Sequence, residues 1–393
     1  MRTGSTLKQQ SKPDSRDSYI ALAAILCGAA IALLLLAFSF LGKSSVDYAD
    51  AAAFGAATTT VWGEDTGHRI HCGDHRDANQ CIDGAARRNA SNGAALWLGN
   101  SQLHAINQFN KGDKTAPMLL HSLLKPKNLD LLTFSQPNAN LQEHYLVFEY
   151  LATQLRIKSL IIPVVFDDTR EDGIRLELAA FANDQQVKQH LTETAVGQVV
   201  LRAASSAAVP TDDAGLANTQ QAIVERAIDT WLQNHSELWR KRAEMRSWLL
   251  NELHLTRNAL FGIKPTSKRP LMRPAYNANL AAFEAMLKSA ANRGIATVVY
   301  IAPIRNDVEK PYVASEYDEF KRRVQELAAS YHAKFVNLED LVPASHWGNT
   351  DGTARSSQTE IDFMHFRAAG HRLLAERLYS MVPNALSVST LSP

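Results

Sequence analysis

The sequence predicts an α/β protein built on a parallel sheet. Short apolar runs recur along the chain, each is bounded by polar or turn residues, and stretches with helical spacing separate them. "AALWLG" around Leu96, "SLIIPVVF" ending at Phe166 and "ATVVYIAP" ending at Pro303 read as buried strands. "LDLLTF" ending at Phe134 and "AKFVNL" ending at Leu338 supply two more. In such sheets ligands bind beyond the carboxyl ends of the strands, so the residues just after these runs are where chemistry is expected.

At 393 residues the chain has room for two or three domains, or for one large domain with insertions. A hydrophobic content of 46% and a charged content of 21% exclude a disordered or low-complexity chain. Lys and Arg number 41 against 40 Asp and Glu, so no net field gathers polyanions and nucleic acid is not an expected partner. Three cysteines exclude a disulfide-dense scaffold and a multi-cysteine zinc ribbon. No glycine-rich phosphate loop follows a strand, which removes the main support for nucleotide binding.

Tyr19 to Leu41 runs 23 residues without a charge and as a helix would reach about 34 Å, enough to cross a hydrocarbon core. Arg2, Lys8, Lys12 and Arg16 precede it, so residues 1–18 are expected in the cytoplasm and everything beyond residue 41 outside it. A cleaved signal peptide is the competing reading, although its apolar region is normally shorter. Residues 42–90 read as a juxtamembrane linker and loop-rich approach, 91–385 as the α/β body and 386–393 as a tail. Apolar residues at three-to-four spacing over about 218–262 predict a long helical insertion in that body.

Cys27 lies inside the apolar span and reads as a small apolar residue. Cys72 and Cys81 fall on the exported side, where an oxidising compartment favours a disulfide. The rival is a metal site made of both thiolates with His68, His71 and His75, whose spacing matches no standard zinc pattern. No metal or organic cofactor is required by the chemistry considered next.

Gly99, Asn100 and Ser101 follow the run Ala94 to Leu98, which puts a serine hydroxyl at the sheet's carboxyl edge, ahead of a predicted helix through "QLHAINQF". Ser101 is thereby either a nucleophile or that helix's N-cap. In "EIDFMHFRAAGHRLLAERL", Asp362 and His365 are expected on one turn just ahead of an amphipathic helix. There the carboxylate fixes the tautomer of an imidazole that takes a proton from serine. Asp as an N-cap and His as a solvated residue are the plain alternatives; His371 reads as structural.

"GNSQ" from Gly99 to Gln102 and "DFMH" from Asp362 to His365 together resemble the SGNH (GDSL-like) hydrolase superfamily, in residue type and in order. The SGNH body is a three-layer α/β fold with a parallel sheet. Among its members the chain looks most like the membrane-anchored type of DltD and the alginate O-acetylation proteins. The resemblance implies catalysis by Ser101, His365 and Asp362. The family's two further blocks, which donate to the oxyanion, are not recognisable. Gln102 and the loops carrying Asn138 and Asp167 are candidates for that role, and Arg305 and Asn306, after a core strand, for substrate contact. "SKRPLMRP" from Ser267 to Pro274 reads as an exposed connection, and Trp347 as a loop anchor or a surface for a sugar ring.

What the resemblance implies is an O-acyltransferase acting on an envelope or exopolysaccharide polymer through an acyl-serine, beside a polytopic membrane-bound O-acyltransferase. A carbohydrate esterase or deacetylase of the same fold is the alternative. A non-catalytic envelope assembly or partner-binding protein is the reading from another class.

Overall fold

The computed structural model describes residues 57–88, 93–207, 266–350 and 360–382, with a few isolated positions between 231 and 264. These residues fall in a single unit, Tyr48–Pro393. The expected apolar span Tyr19–Leu41 and most of the expected insertion 218–262 lie outside the described residues. Among the described residues no helix is long and apolar enough to cross a membrane.

In chain order the elements that build the body begin with β1 (His71–Cys72), α1 (His75–Arg87), β2 (Ala94–Gly99), α2 (Ala116–Leu124), β3 (Asp130–Ser135) and α3 (Leu141–Gln154). Then come β4 (Ile157–Val164), α4 (Gln185–Thr192), α5 (Ala195–Ala207), α6 (Arg273–Asn292), β5 (Ala296–Ile301) and α7 (Ala314–Ser330). The last are β6 (Lys334–Asn337), β7 (Trp347–Thr350), β8 (Glu360–Phe366) and α8 (Ala368–Tyr379). Six strands form one sheet in the order β6-β5-β4-β2-β3-β1, and every adjacent pair is parallel. The chain steps from β2 to β3 on one side, then crosses back to β4 on the other, so β2 stands at the point where the winding reverses.

The period-two alternation of strand side chains assigns each residue to a face. Leu96, Leu98, Leu160, Ile162, Val164, Val299 and Ile301 enter one core with side chains of α1, α3, α4, α5, α6 and α7. Ala95, Trp97, Ile161, Val298 and Tyr300 enter the other, with Leu120 of α2 and Leu374 and Leu378 of α8. Both faces are covered, which is why these strands read as unbroken apolar runs. Helix α7 shows the matching 3.6 period, burying Tyr317, Phe320, Val324 and Leu327. Trp97 and Tyr300 are buried together, the indole N–H donating to the phenol oxygen at 3.1 Å.

Three local differences from the sequence expectations matter for function. Residues 68–87, expected as part of a loop-rich approach, contain an edge strand and a helix. Asp74 and Asp77 cap that helix reciprocally, and periodicity cannot reveal a strand of two residues. The expected helix through "QLHAINQF" is a single 3-10 turn, Ser101–Leu103, followed by the strand Ala105–Asn107, which pairs antiparallel with Thr58–Thr60. Asp362 and His365 lie on β8, not on a helical turn; α8 begins only at Ala368.

Candidate active site

Strand β2 is buried along all six residues and delivers its end, Gly99, to the carboxyl edge. A Cβ on Gly99 would overlap the Leu103 side chain, so the tight turn over this strand end needs glycine. Asn100 caps the turn: its Oδ1 accepts the Gln102 N–H at 3.0 Å, and its Nδ2 donates to Asp168 at 2.7 Å. The capping role considered for Ser101 is therefore filled by its neighbour, and the Ser101 hydroxyl is directed elsewhere.

It lies 3.0 Å from His365 Nε2, across 264 positions of sequence. His365 Nδ1 lies 3.0 Å from Asp362 Oδ2. A carboxylate only accepts, so Nδ1 carries the proton and Nε2 faces Ser101 as an acceptor.

The backbone that allows this is a large bulge. Strands β7 and β8 are antiparallel, Trp347 opposite Phe366 and Asn349 opposite Ile361, so the four residues Asp362 to His365 stand opposite Gly348 alone. Two residues three apart on a regular strand would point to opposite faces; the bulge turns both to one place. Asp362 Oδ1 accepts the backbone N–H groups of Met364 and His365, each at 2.9 Å, which folds the bulge around its own carboxylate. Burial alone would raise this carboxyl, but the His365 charge and the bonds from its ring and from both amides outweigh it and hold the group below its ordinary value.

The histidines around the site divide by environment. His104 and His371 are each lowered to about 3, first by burial and then by nearby imidazole charge, with a carbonyl bond to His371 opposing. His144 is lowered to about 4 by burial, against a bond to the Gly99 carbonyl. These three stay neutral near pH 7 and act as fixed hydrogen-bonding groups. His371 takes the Ala116 N–H at 3.1 Å and reaches the Ala105 carbonyl at 3.2 Å. His365 is only partly buried and lies beside both a hydroxyl and a carboxylate.

The other expected site residues lie as follows. Gln102 is buried and its amide donates to the carbonyls of Pro303 and Met364, so it ties the bulge to the end of β5 and has no hydrogen left for an oxyanion. Asn138 is exposed, with φ of 51°. Asp167 is bound by Arg269 and by the Tyr312 hydroxyl. Arg305 donates to the Gly348 carbonyl at 2.8 Å and pairs with Asp307, while its backbone N–H meets the Phe363 carbonyl; it braces the bulge from outside. Asn306 is exposed and donates to Asp340. Trp347 is buried, its indole N–H on the Val342 carbonyl, and offers no face to a sugar. Cys72 and Cys81 form a disulfide, which removes the thiolates that the rival metal site required. Among the described residues no group of three or more His, Cys, Asp or Glu is placed to hold a metal ion.

Sequence reasoning missed four contributors. Asn107, fully buried, donates to Asp362 Oδ2 at 3.2 Å. Asp168 holds Asn100; its burial pushes the carboxyl well above the ordinary range, the Asn100 amide only partly offsetting this. Ser135, at the end of β3, lies 2.6 Å from both His71 Nε2 and His104 Nδ1. Trp62 stacks on the His104 ring. An asparagine beside no motif and an aspartate in an acidic run carry no signal of such roles in the sequence.

The fold and site together define an α/β protein with a serine, a histidine and an aspartate in hydrogen-bonded series at the sheet's carboxyl edge. No family model matches the chain, and no curated protein does. Among solved structures the chain is similar to an acetylxylan esterase from Geobacillus stearothermophilus, at 11% identity over 73% of this chain and 93% of that one, with a TM-score of 0.33. It is also similar to the native aryl esterase of M. smegmatis, at 12% identity over 74% and 99%, with a TM-score of 0.31.

Proposed function

We propose that the chain is a serine-dependent esterase that cleaves acyl esters through an acyl-serine intermediate. The observation that carries this reading is the continuous series Ser101 Oγ, His365 Nε2, His365 Nδ1, Asp362 Oδ2, whose two hydrogen bonds are each 3.0 Å. Ser101 attacks the ester carbonyl while His365 takes its proton, and Asp362 holds the imidazolium that forms. His365 then returns the proton to the leaving alcohol, and water, activated by the same imidazole, releases the acid and restores the hydroxyl. The Ser101 N–H, at the head of its turn, is the donor assigned to the oxyanion. The resemblance of "GNSQ" and "DFMH" to SGNH hydrolases supports O-acylated carbohydrate as the substrate class.

A second reading replaces water with a polymer hydroxyl, giving an O-acyltransferase. The apolar run Tyr19–Leu41 favours it, because an anchored body outside the cytoplasm, beside a membrane-bound acyl donor, works at high local acyl concentration. That reading includes a polytopic O-acyltransferase as partner and an envelope polysaccharide as acceptor.

A serine-directed fluorophosphonate is expected to label the wild-type chain and not Ser101→Ala, which also loses about 10³-fold or more in turnover of a chromogenic acetyl ester. Labelling that survives Ser101→Ala removes the nucleophile. Free acetate as the sole product in the presence of oligosaccharide supports the esterase; acetylated sugar supports the transferase.

A further inference from the structure

We infer that Asn107 is a positioning residue whose buried amide clamps the Asp362 carboxylate to the strand that follows the Ser101 turn. The inference rests on the serine-esterase reading above. Asn107 Nδ2 lies 2.9 Å from the Asn349 carbonyl and 3.2 Å from both Thr58 Oγ1 and Asp362 Oδ2; its two hydrogens suit the carbonyl and the carboxylate, with the Thr58 hydroxyl beside them, so three separate segments meet at one amide. A carbonyl and a carboxylate cannot donate, which fixes the nitrogen toward them.

The oxygen of the same amide, Oδ1, is buried without a partner. It packs where a Cβ on Gly348 would stand. A buried unpaired acceptor is a cost that an apolar residue of similar volume would avoid. The amide is therefore explained by what its nitrogen does. Asp362 Oδ1 is already satisfied by two backbone N–H groups. Oδ2, the oxygen that faces His365, takes the ring N–H and the Asn107 N–H. With one donor on each side, this oxygen is held in the direction of Nδ1.

Among the described residues, the ionisable groups near His365 include Asp362 within the bulge, His104 after the Ser101 turn and His371 on α8, with the Arg305–Asp307 pair behind the bulge. Removing the Asn107 donor leaves the Asp362 charge less satisfied, so it holds the imidazolium more tightly.

The full chain in detergent is compared with Asn107→Leu and Asn107→Ala, measuring kcat and KM for a chromogenic acetyl ester from about pH 5 to about pH 9 and the His365 ring titration by NMR. Asn107→Leu is expected to lower kcat about 10–100-fold with KM within about twofold, as loss of a supporting hydrogen bond does elsewhere. It is also expected to move the acid limb and the ring titration to higher pH. Asn107→Ala, which removes the same donor without added bulk, moves both in the same direction and carries the comparison if the leucine variant does not fold. A folded variant with unchanged kcat overturns the inference, as does one whose loss is in KM with the ring titration unmoved. A wild type that turns over no ester sinks the esterase reading alone, because the ring titration needs no substrate and still decides whether Asn107 acts on the pair.

Discussion

Ser101 follows six buried residues of a strand paired on both sides, whereas Asp362 and His365 occupy a bulge in a ladder of only two strands. On the side of the proposed nucleophile, Ser101, the backbone places the group: the β2 ladder runs unbroken against β3 to Gly99, and one asparagine cap fixes the turn. On the side of the proposed base, His365, side-chain bonds do that work. Asp362 folds the loop, Gln102 and Arg305 hold its backbone, and Asn107 reaches its carboxylate. The difference predicts that damage to the base side appears in catalysis, and that damage to the sheet's edge appears in stability.

The largest expected effect sharpens this contrast. Asp362→Asn keeps the shape but presents an amide to Nδ1, allowing the wrong tautomer, so kcat is expected to fall about 10³–10⁴-fold. Its melting temperature is expected to fall modestly at neutral pH, because the charge stabilises the fold, and unfolding large enough to account for the whole loss of activity would break the contrast.

At the far edge, replacing Cys72 and Cys81 together with alanine opens a loop whose ends are nine positions apart, and is expected to cost about 2–3 kcal/mol in urea unfolding. The site is expected to keep its kcat; a fall of kcat beyond about tenfold would mean that the edge and the site are coupled after all.

Gly348→Ala drives a methyl into the Asn107 carboxamide and is expected to cost about 1–3 kcal/mol, with a loss of kcat that resembles the Asn107 variants. Wild-type unfolding and turnover would show that the bulge has slack.

The smallest effect concerns Asp168, on the nucleophile side. Because its folded value is raised, the stability linked to its protonated form is full below the free carboxyl's range. That stability is lost as pH rises through the raised value. Asp168→Asn keeps an acceptor for Asn100 without the charge. Its melting temperature is expected to exceed wild type at neutral pH, and the gap to close in acid. Asp362 works in the opposite sense: its stabilisation is present above the free carboxyl range and fades as pH falls through its lowered value. Parallel melting curves for Asp168→Asn and wild type at every pH would refute the assignment for Asp168.

The sheet was legible because burial on both faces turns strands into apolar runs, and Leu96, Ile161 and Val299 sit where that pattern places them. Ser101 was legible for the same reason, as a polar residue at a run's end. The conformation around Asp362 and His365 was not, because the three-residue spacing that suggested a helical turn arises from a bulge in the pairing of β8 with β7, which local spacing does not record. The segment after Ser101 was misjudged likewise: "AIN" pairs with Thr58–Thr60, and no local propensity records that pairing. Asn107 became visible only once three segments met around it.

The bulge also has a consequence in time. During synthesis Ser101 leaves the ribosome 264 positions before His365, which arrives only with β8. On the proposed reading, a chain released or clipped before residue 360 carries a serine without the imidazole that would take its proton. Fluorophosphonate capture is then expected to separate chains that include β8 from those that stop short of it.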